Sequence, residues 1–329
     1  MAKVFRRKVV ETASMDAAEN AIANKEVEGL SQRQIVIKRF IHHRAAMIAL
    51  FSLILITVIV NTALEFKIGP WKIHGWWKYK VTDIPELRYK ECPGQVIGCP
   101  TLKLFPPSLG EHPFGQDDIG RDYLALVMRG AQRSLMVAFV IGVLGGVIGT
   151  IVGAISGFYR GIVDSVLMRF VDFVITVPAI IIGSVIGYRY GNLGAGFLAI
   201  YLGLFSWTGL SRLVRGEFLK LREMEFVDAA RVAGASNRRI IFKHILPNAV
   251  GIIIVSVTLL MSSAILLETA LSYIGFGVVA PDVSLGLLIS TYQDSFTSRP
   301  FLFWWPGFFI ISIALSINFI GDGLRDAFD

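Results

Sequence analysis

Thiol and imidazole groups are scarce in this chain: two cysteines and five histidines among 329 residues. The cysteines, Cys92 and Cys99, fall in one loop with no His/Cys cluster of ligand spacing beside them, so no metal site is expected. His42, His43, His74, His112 and His244 are scattered over different regions. No G-x-x-x-x-G-K-[ST] occurs, so the chain does not cradle nucleotide phosphates in the P-loop manner, and H-E-x-x-H and G-x-S-x-G are also missing. No self-contained enzyme is expected. Charge is sparse too: 17% of residues, against about 25% in soluble proteins. Interleaved aromatic and basic residues of the kind that bind single-stranded nucleic acid are absent, so the net charge of +7 does not imply a nucleic-acid partner. No repeat with a period of roughly 20–50 residues is visible.

What is present is apolar length. Hydrophobic residues make up 54% of the chain and mean hydropathy is +0.61. Several runs exceed the roughly 18–20 residues that cross a bilayer core. The pattern predicts an all-α polytopic membrane protein with six spans: Ala45–Leu64, Ser134–Gly157, Met168–Tyr188, Leu193–Leu213, Asn248–Ser272 and Phe301–Ile320. The first run lies behind a polar leader and reads as a retained anchor, not a cleaved signal. Lys38, Arg39 and Arg44, then Arg160 and Arg169, then the Lys/Arg set of Arg212–Lys243 all fall on one side, which the positive-inside bias makes the cytoplasm. Both termini are then cytoplasmic. The expected divisions are a leader with an interfacial elbow (1–44), a first span (45–64), an external loop (65–133), a core of five spans (134–322, with a polar loop at 212–247) and a tail (323–329).

Smaller signals fill this frame. Ser31 and Gln34 form a capping box for an elbow helix with Ile37, Phe40 and Ile41 as its apolar side. Gly145, Gly149, Gly153 and Gly157 recur every four residues, a stripe for close helix packing. Pro178 predicts a kink. Trp304 and Trp305 open the sixth span at the outer interface. Asp172 pairs with Arg169, three residues away on one helix. External placement allows Cys92 and Cys99 to form a disulfide; two free thiols are the alternative. Glu268 has two readings, a gate contact or a solvated carboxylate near the outer interface.

The most informative segment is Phe226–Asn248, a basic, helix-prone stretch between apolar runs and longer than a connector needs. Asp228, Ala229 and Ala230 predict a short helix, broken at Gly234 by a left-handed conformation. Ser236 caps a second helix with Ile240, Ile241 and Ile245 on one side, and Pro247 sits where the next span begins. A docking surface fits this make-up; the plainer alternative is an amphipathic pair lying on the bilayer.

With the topology in place, Asp228-Ala229-Ala230, Gly234 and Leu246-Pro247 resemble the EAA loop of ABC importer permeases, with Asp228 replacing the usual Glu and His244 an expected Ile. Those departures match the peptide-importer branch. His112–Asp122 continuing to Arg133-Ser134-Leu135, Glu268–Gly277 and Asn318–Asp326 are similar to segments of C-type dipeptide/oligopeptide permeases. The resemblance covers about Leu30 to Asp329; the Lys67–Gly110 insertion is atypical.

The resemblance implies a type I importer permease fold in a prokaryotic cell membrane. It implies a homologous B-type membrane subunit, two cytoplasmic ATPase subunits that hold ATP and Mg, and an external solute-binding protein; no cofactor is expected on this chain. Its coupling residues are Asp228, Ala229, Ala230, Arg231, Gly234, Ala235, Ser236, Arg238, Arg239, His244, Leu246 and Pro247, with the small ones permitting close seating and the arginines meeting acidic rims. His112–Asp122 either docks the binding protein or folds against the spans. Peptides are the expected solute. Oligosaccharides, nickel or another small solute carried by the same machinery are the alternative, and a free-standing channel or receptor is a third class.

Overall fold

A computed structural model describes residues 32–68, 71–85, 98–103 and 108–328. The elbow α1 (Gln32–His42) leads into α2 (Arg44–Ala63), and the ring of His43 caps the turn by accepting from the Ala46 N–H at 3.1 Å. Ser31 of the expected capping box lies outside the described residues. Beyond α2 the chain forms a two-stranded antiparallel ribbon, β1 (Phe66–Ile68) and β2 (Trp71–Ile73), with Lys67 opposite Lys72. This small hairpin is the one sheet among the described residues; two isolated antiparallel bridges, Lys103 with Ser108 and Gln116 with Asp122, occur outside it.

The second span, α3, runs from Tyr123 to Tyr159, starting well before Ser134 because Asp122 caps it by accepting from the Ala125 N–H at 2.8 Å. Its 37 residues reach about 55 Å, longer than a bilayer core is thick. α4 (Gly161–Thr176) and α5 (Ala179–Tyr190) occupy the place of the third span, broken at the expected Pro178 kink. With the short turn after α5 they form an apolar pair bent by 67° at the break. Pro178 stands in the break, lacking an N–H and pushing Val177 into an extended conformation. α6 (Ala195–Gly203) and α7 (Thr208–Leu221) form the fourth crossing; α8 (Glu225–Val232) is the short polar helix. α9 (Asn237–Tyr273), α10 (Leu285–Tyr292) and α11 (Phe301–Phe328) complete the chain. Among the described residues five helices are long and apolar enough to span a membrane, and the bent pair, counted as one span, brings the number to six.

The glycine stripe explains the closest packing. A Cβ on Gly153 would lie 2.5 Å from the Ser211 carbonyl, and one on Gly157 would lie 2.7 Å from the Arg215 carbonyl. One on Gly149 would lie 2.5 Å from Leu210 Cδ2. Only a helix without side chains on this face lets α7 lie directly on α3. Outward faces are apolar as well: Ile48, Phe51, Ile162 and Phe173 are all more than two-thirds exposed, as a hydrocarbon solvent requires.

Both ends of the bundle are packed. Trp305 is half-buried, its indole stacked on Phe114 with centroids 3.8 Å apart, and Trp304 is exposed. The expected C-terminal segment from 323 is helical and packed. α11 continues to Phe328, Gly323 lies so near Ala46 that an added Cβ would come within 2.2 Å of it, and Asp326 meets His43 at 3.3 Å.

Candidate coupling surface and buried polar joints

The expected coupling residues are gathered at one end of the bundle. α8 ends in a Schellman motif: Gly234, at φ +77°, donates to the Arg231 carbonyl (2.9 Å) and Ala235 to that of Ala230 (3.0 Å). A Cβ on Gly234 would meet nothing within 4 Å, so glycine is needed for the backbone conformation and not for lack of space. Ser236 then accepts from the Arg239 N–H at 3.4 Å and starts α9. No separate second helix intervenes. Ile240–Ile245 form a π-helical turn, Leu246 donates to the Ile241 carbonyl, and Leu246–Tyr273 continue as α-helix. Pro247 therefore lies in the first turn of the α-helical part, with helix on both sides of it. The wider turn before it relieves the crowding that a proline ring imposes on the preceding turn.

Burial divides these residues in two. Ala230, Val227, Ile240, Ile241 and Ile245 pack with Val214, Phe218 and Leu221 of α7 and with Phe158 of α3. Ala230 thus faces the protein's own core, a correction to its expected place at a docking face. Ala235, His244 and Leu246 are half-buried. Asp228, Ala229, Arg231, Gly234, Ser236, Arg238, Arg239 and Pro247 are exposed. Arg231 is engaged locally with Asp228 at 3.0 Å, which leaves it poorly placed to meet an acidic rim. Pattern reading missed Val232 and Phe242, which are 90% and 67% exposed. Val232 stands off the Val227–Ala230 side of α8 and Phe242 off the isoleucine side of α9, and that is the signal that could have found them.

Cross-helix ion pairs brace this end. Asp164 of α4 takes two hydrogen bonds of 2.6 Å from Arg215 of α7. Arg160 meets Glu223 at 2.7 Å, and Arg222 donates to the Phe158 carbonyl. Burial, with the charges of Arg160 and Arg231, lowers the Arg222 pKa from its ordinary value. Asp172 bonds Arg212 of α7 at 2.5 Å, not Arg169 as expected: its carboxylate points across to the neighbouring helix.

The opposite end holds a buried network. His112, Gln116, Asp117 and Asp122 are buried, so most of the His112–Asp122 segment folds against the spans; Asp118 and Ile119 form an exposed tip. Asp122 accepts from the Trp77 indole N–H (2.8 Å) and His112 Nδ1 (2.7 Å) while capping α3. Asp117 accepts from the backbone N–H groups of Ile119 and Arg121, from Arg121 Nε at 2.6 Å and from the Tyr292 hydroxyl at 3.2 Å. Burial and the Asp117 charge push the Tyr292 phenol well above its ordinary range, which keeps it a neutral donor. Arg133 of α3 pairs with Asp282 at 2.8 Å, and the other Asp282 oxygen accepts from the Ala195 N–H at the start of α6. Glu268 is fully buried; it accepts from Ser272 (2.8 Å) and from Ser134 of α3 (3.1 Å). The solvated-carboxylate reading is overturned. Cys99 is disulfide-bonded, which removes the free-thiol alternative for it; Cys92 lies outside the described residues.

A bundle of bilayer-length helices, with a polar helix–turn presented between the fourth and fifth crossings, defines a multi-pass permease subunit. Residues 149–329 match the model of the family described as binding-protein-dependent transport system inner membrane component, and the chain belongs to that family. The oligopeptide transport system permease proteins of Escherichia coli K12 and Mycobacterium tuberculosis H37Rv are 38% and 36% identical to it. The first alignment covers 95% of this chain and 96% of the relative, the second 92% and 96%. A putative peptide permease protein of Brucella ovis is 36% identical over 88% of each chain. Among solved structures, an inward-facing MetNI methionine ABC transporter chain matches with a TM-score of 0.52 at 20% identity, covering 62% of this chain and 96% of that one. The fold is that of type I ABC importer permeases.

Proposed function

We propose that this chain is the C-type membrane subunit of an ABC importer for peptides and forms half of its pathway beside a homologous membrane subunit. Relatives named as oligopeptide permeases, matched along nearly their whole length, support the solute class. Two ATPase subunits, carrying ATP and Mg, act from the cytoplasmic side, and an external solute-binding protein delivers cargo. Both termini then face the cytoplasm. This chain does no hydrolysis; it converts closure of the ATPases into rocking of its spans.

The observation that carries this reading is the surface of α8 and the Gly234 turn. Val232, Phe242, Ala229 and Gly234 are exposed, as are Arg238 and Arg239 of the same segment, while its inner side is packed into the α3–α7 core. An exposed apolar patch with a basic rim fits a protein partner better than water. Because its inner side is anchored, force on it moves the spans. Membranes expressing the full transporter should accumulate labelled oligopeptide only when the ATPases are present and active, and peptides should compete with uptake. Competition by oligosaccharide or nickel instead would transfer the cargo to the second reading.

A further inference from the structure

α9 is one uninterrupted helix of 37 residues, about 55 Å long at the usual rise. Its first turn is the proposed docking segment and its last turns carry Glu268. Around that carboxyl, four elements converge. Ser272 Oγ, one turn on, donates to Glu268 and in turn accepts from the Val278 N–H at 3.3 Å, holding the loop that follows α9. Ser134 Oγ of α3 donates to the other carboxyl oxygen and accepts from the Leu285 N–H of α10 at 3.4 Å. Ser284 caps α10 through the Leu287 N–H and lies 3.4 Å from Ser272 Oγ. Gly286 and Gly130 bring the backbones close, since added Cβ atoms would sit 2.7 Å from Thr269 Cα and 3.1 Å from the Leu285 nitrogen.

We propose that Glu268 is a positioning residue: the joint through which movement of the α8 surface, carried along α9, reaches α10 and α3 at the far end of the bundle. The inference rests on the docking reading above. Cohesion alone does not require a carboxyl here. Among the described residues Glu268 has no cation beside it, and an apolar side chain of similar volume holds a buried site as well or better. What the carboxyl adds is two acceptors, one for Ser272 on its own helix and one for Ser134 of α3; the second fixes the register of α9 against α3, and through the serines both reach the start of α10. Hydroxyl contacts of this kind re-form after a shift of the helices, unlike interlocked side chains. They suit a contact that must be remade in each cycle.

The test uses the complete transporter in proteoliposomes with its solute-binding protein, comparing Glu268→Leu, which fills the volume without acceptors, with Glu268→Gln, which keeps one acceptor for a serine hydroxyl and reaches the other serine oxygen as a donor. Expected for Glu268→Leu are intact co-purification of the ATPases, persistent basal hydrolysis, and a roughly tenfold loss of hydrolysis stimulated by the binding protein, within the usual range of allosteric coupling. Glu268→Gln should retain at least about half of the stimulation, being able to keep both contacts. Wild-type stimulation in Glu268→Leu, or an equal loss in Glu268→Gln, overturns the joint. If Glu268→Leu does not assemble, Ser134→Ala decides: lost stimulation supports the joint and full stimulation overturns it. Failure of the wild-type chain itself to hold the ATPases has a different signature and removes the docking reading on which the joint depends.

Discussion

The two ends of this bundle manage polar groups in opposite ways. At the α8 end the polar residues of the candidate surface are exposed, and the one pair among them, Asp228 with Arg231, bridges neighbouring turns of a single helix. At the other end Asp117, Asp122 and Glu268 are fully buried and each joins segments far apart in sequence. Exposed groups cost nothing to leave unpaired, so that face can meet a partner. Buried carboxyls must be satisfied from within, so they fix the arrangement of the helices that surround them. One end offers an exposed surface, the proposed docking face, and the other holds shape.

The strongest way to break this contrast is to remove Asp117. Asp117→Ala leaves Arg121, Tyr292 and two backbone N–H groups without their acceptor. The expected loss is about 3 kcal/mol, at the low end for a broken buried pair because a third of the Arg121 side chain is exposed. A thermal melt in detergent micelles should show the drop; an unchanged midpoint would mean the network adds nothing. Next comes Gly153→Leu, which drives a side chain into the α7 backbone and should cost about 1–3 kcal/mol by the same melt. The exchange Gly153→Ser, smaller but still short of room, should fall between it and the native protein.

Effects at the proposed docking face should appear in partner binding more than in stability. Gly234→Val forces a β-branched residue into a positive φ and should cost about 1–3 kcal/mol of local stability. Co-purification of the ATPases should nevertheless fall sharply, because the turn geometry of the surface changes. A variant that melts lower yet keeps its ATPases would refute the docking surface. Smallest of all, Arg238→Gln and Arg239→Gln should each weaken ATPase retention by about 0–1 kcal/mol, and raised salt should mask the difference.

Legibility in the sequence tracked the range of the interaction. The Gly234 turn and the Ser236 cap were readable because both are made within a few residues of backbone. The glycine stripe was readable because helical periodicity puts Gly149, Gly153 and Gly157 on one face whatever lies opposite. Asp172 was misassigned for the complementary reason: an i,i+3 neighbour is visible in the chain, whereas Arg212, its actual partner, is brought close only by the fold. For Glu268 the sequence left two readings open, since position along a helix says how near an end a residue lies but not whether another helix covers it. Ala230 and Ala229 are adjacent and chemically identical, yet one is core and one is surface; the face that α7 occupies decides between them.

Sequence alone determined that this is a membrane protein, roughly where its chain crosses, and where a polar helix interrupts the crossings, because apolar length and turn chemistry are local properties. Only the tertiary structure decided that α9 runs unbroken from the exposed turn to Glu268, that α10 is held against α3, and that the His112–Asp122 segment is mostly interior. Those outcomes depend on which helices meet, and contacts between distant segments are set by packing of the whole bundle rather than by any window of residues.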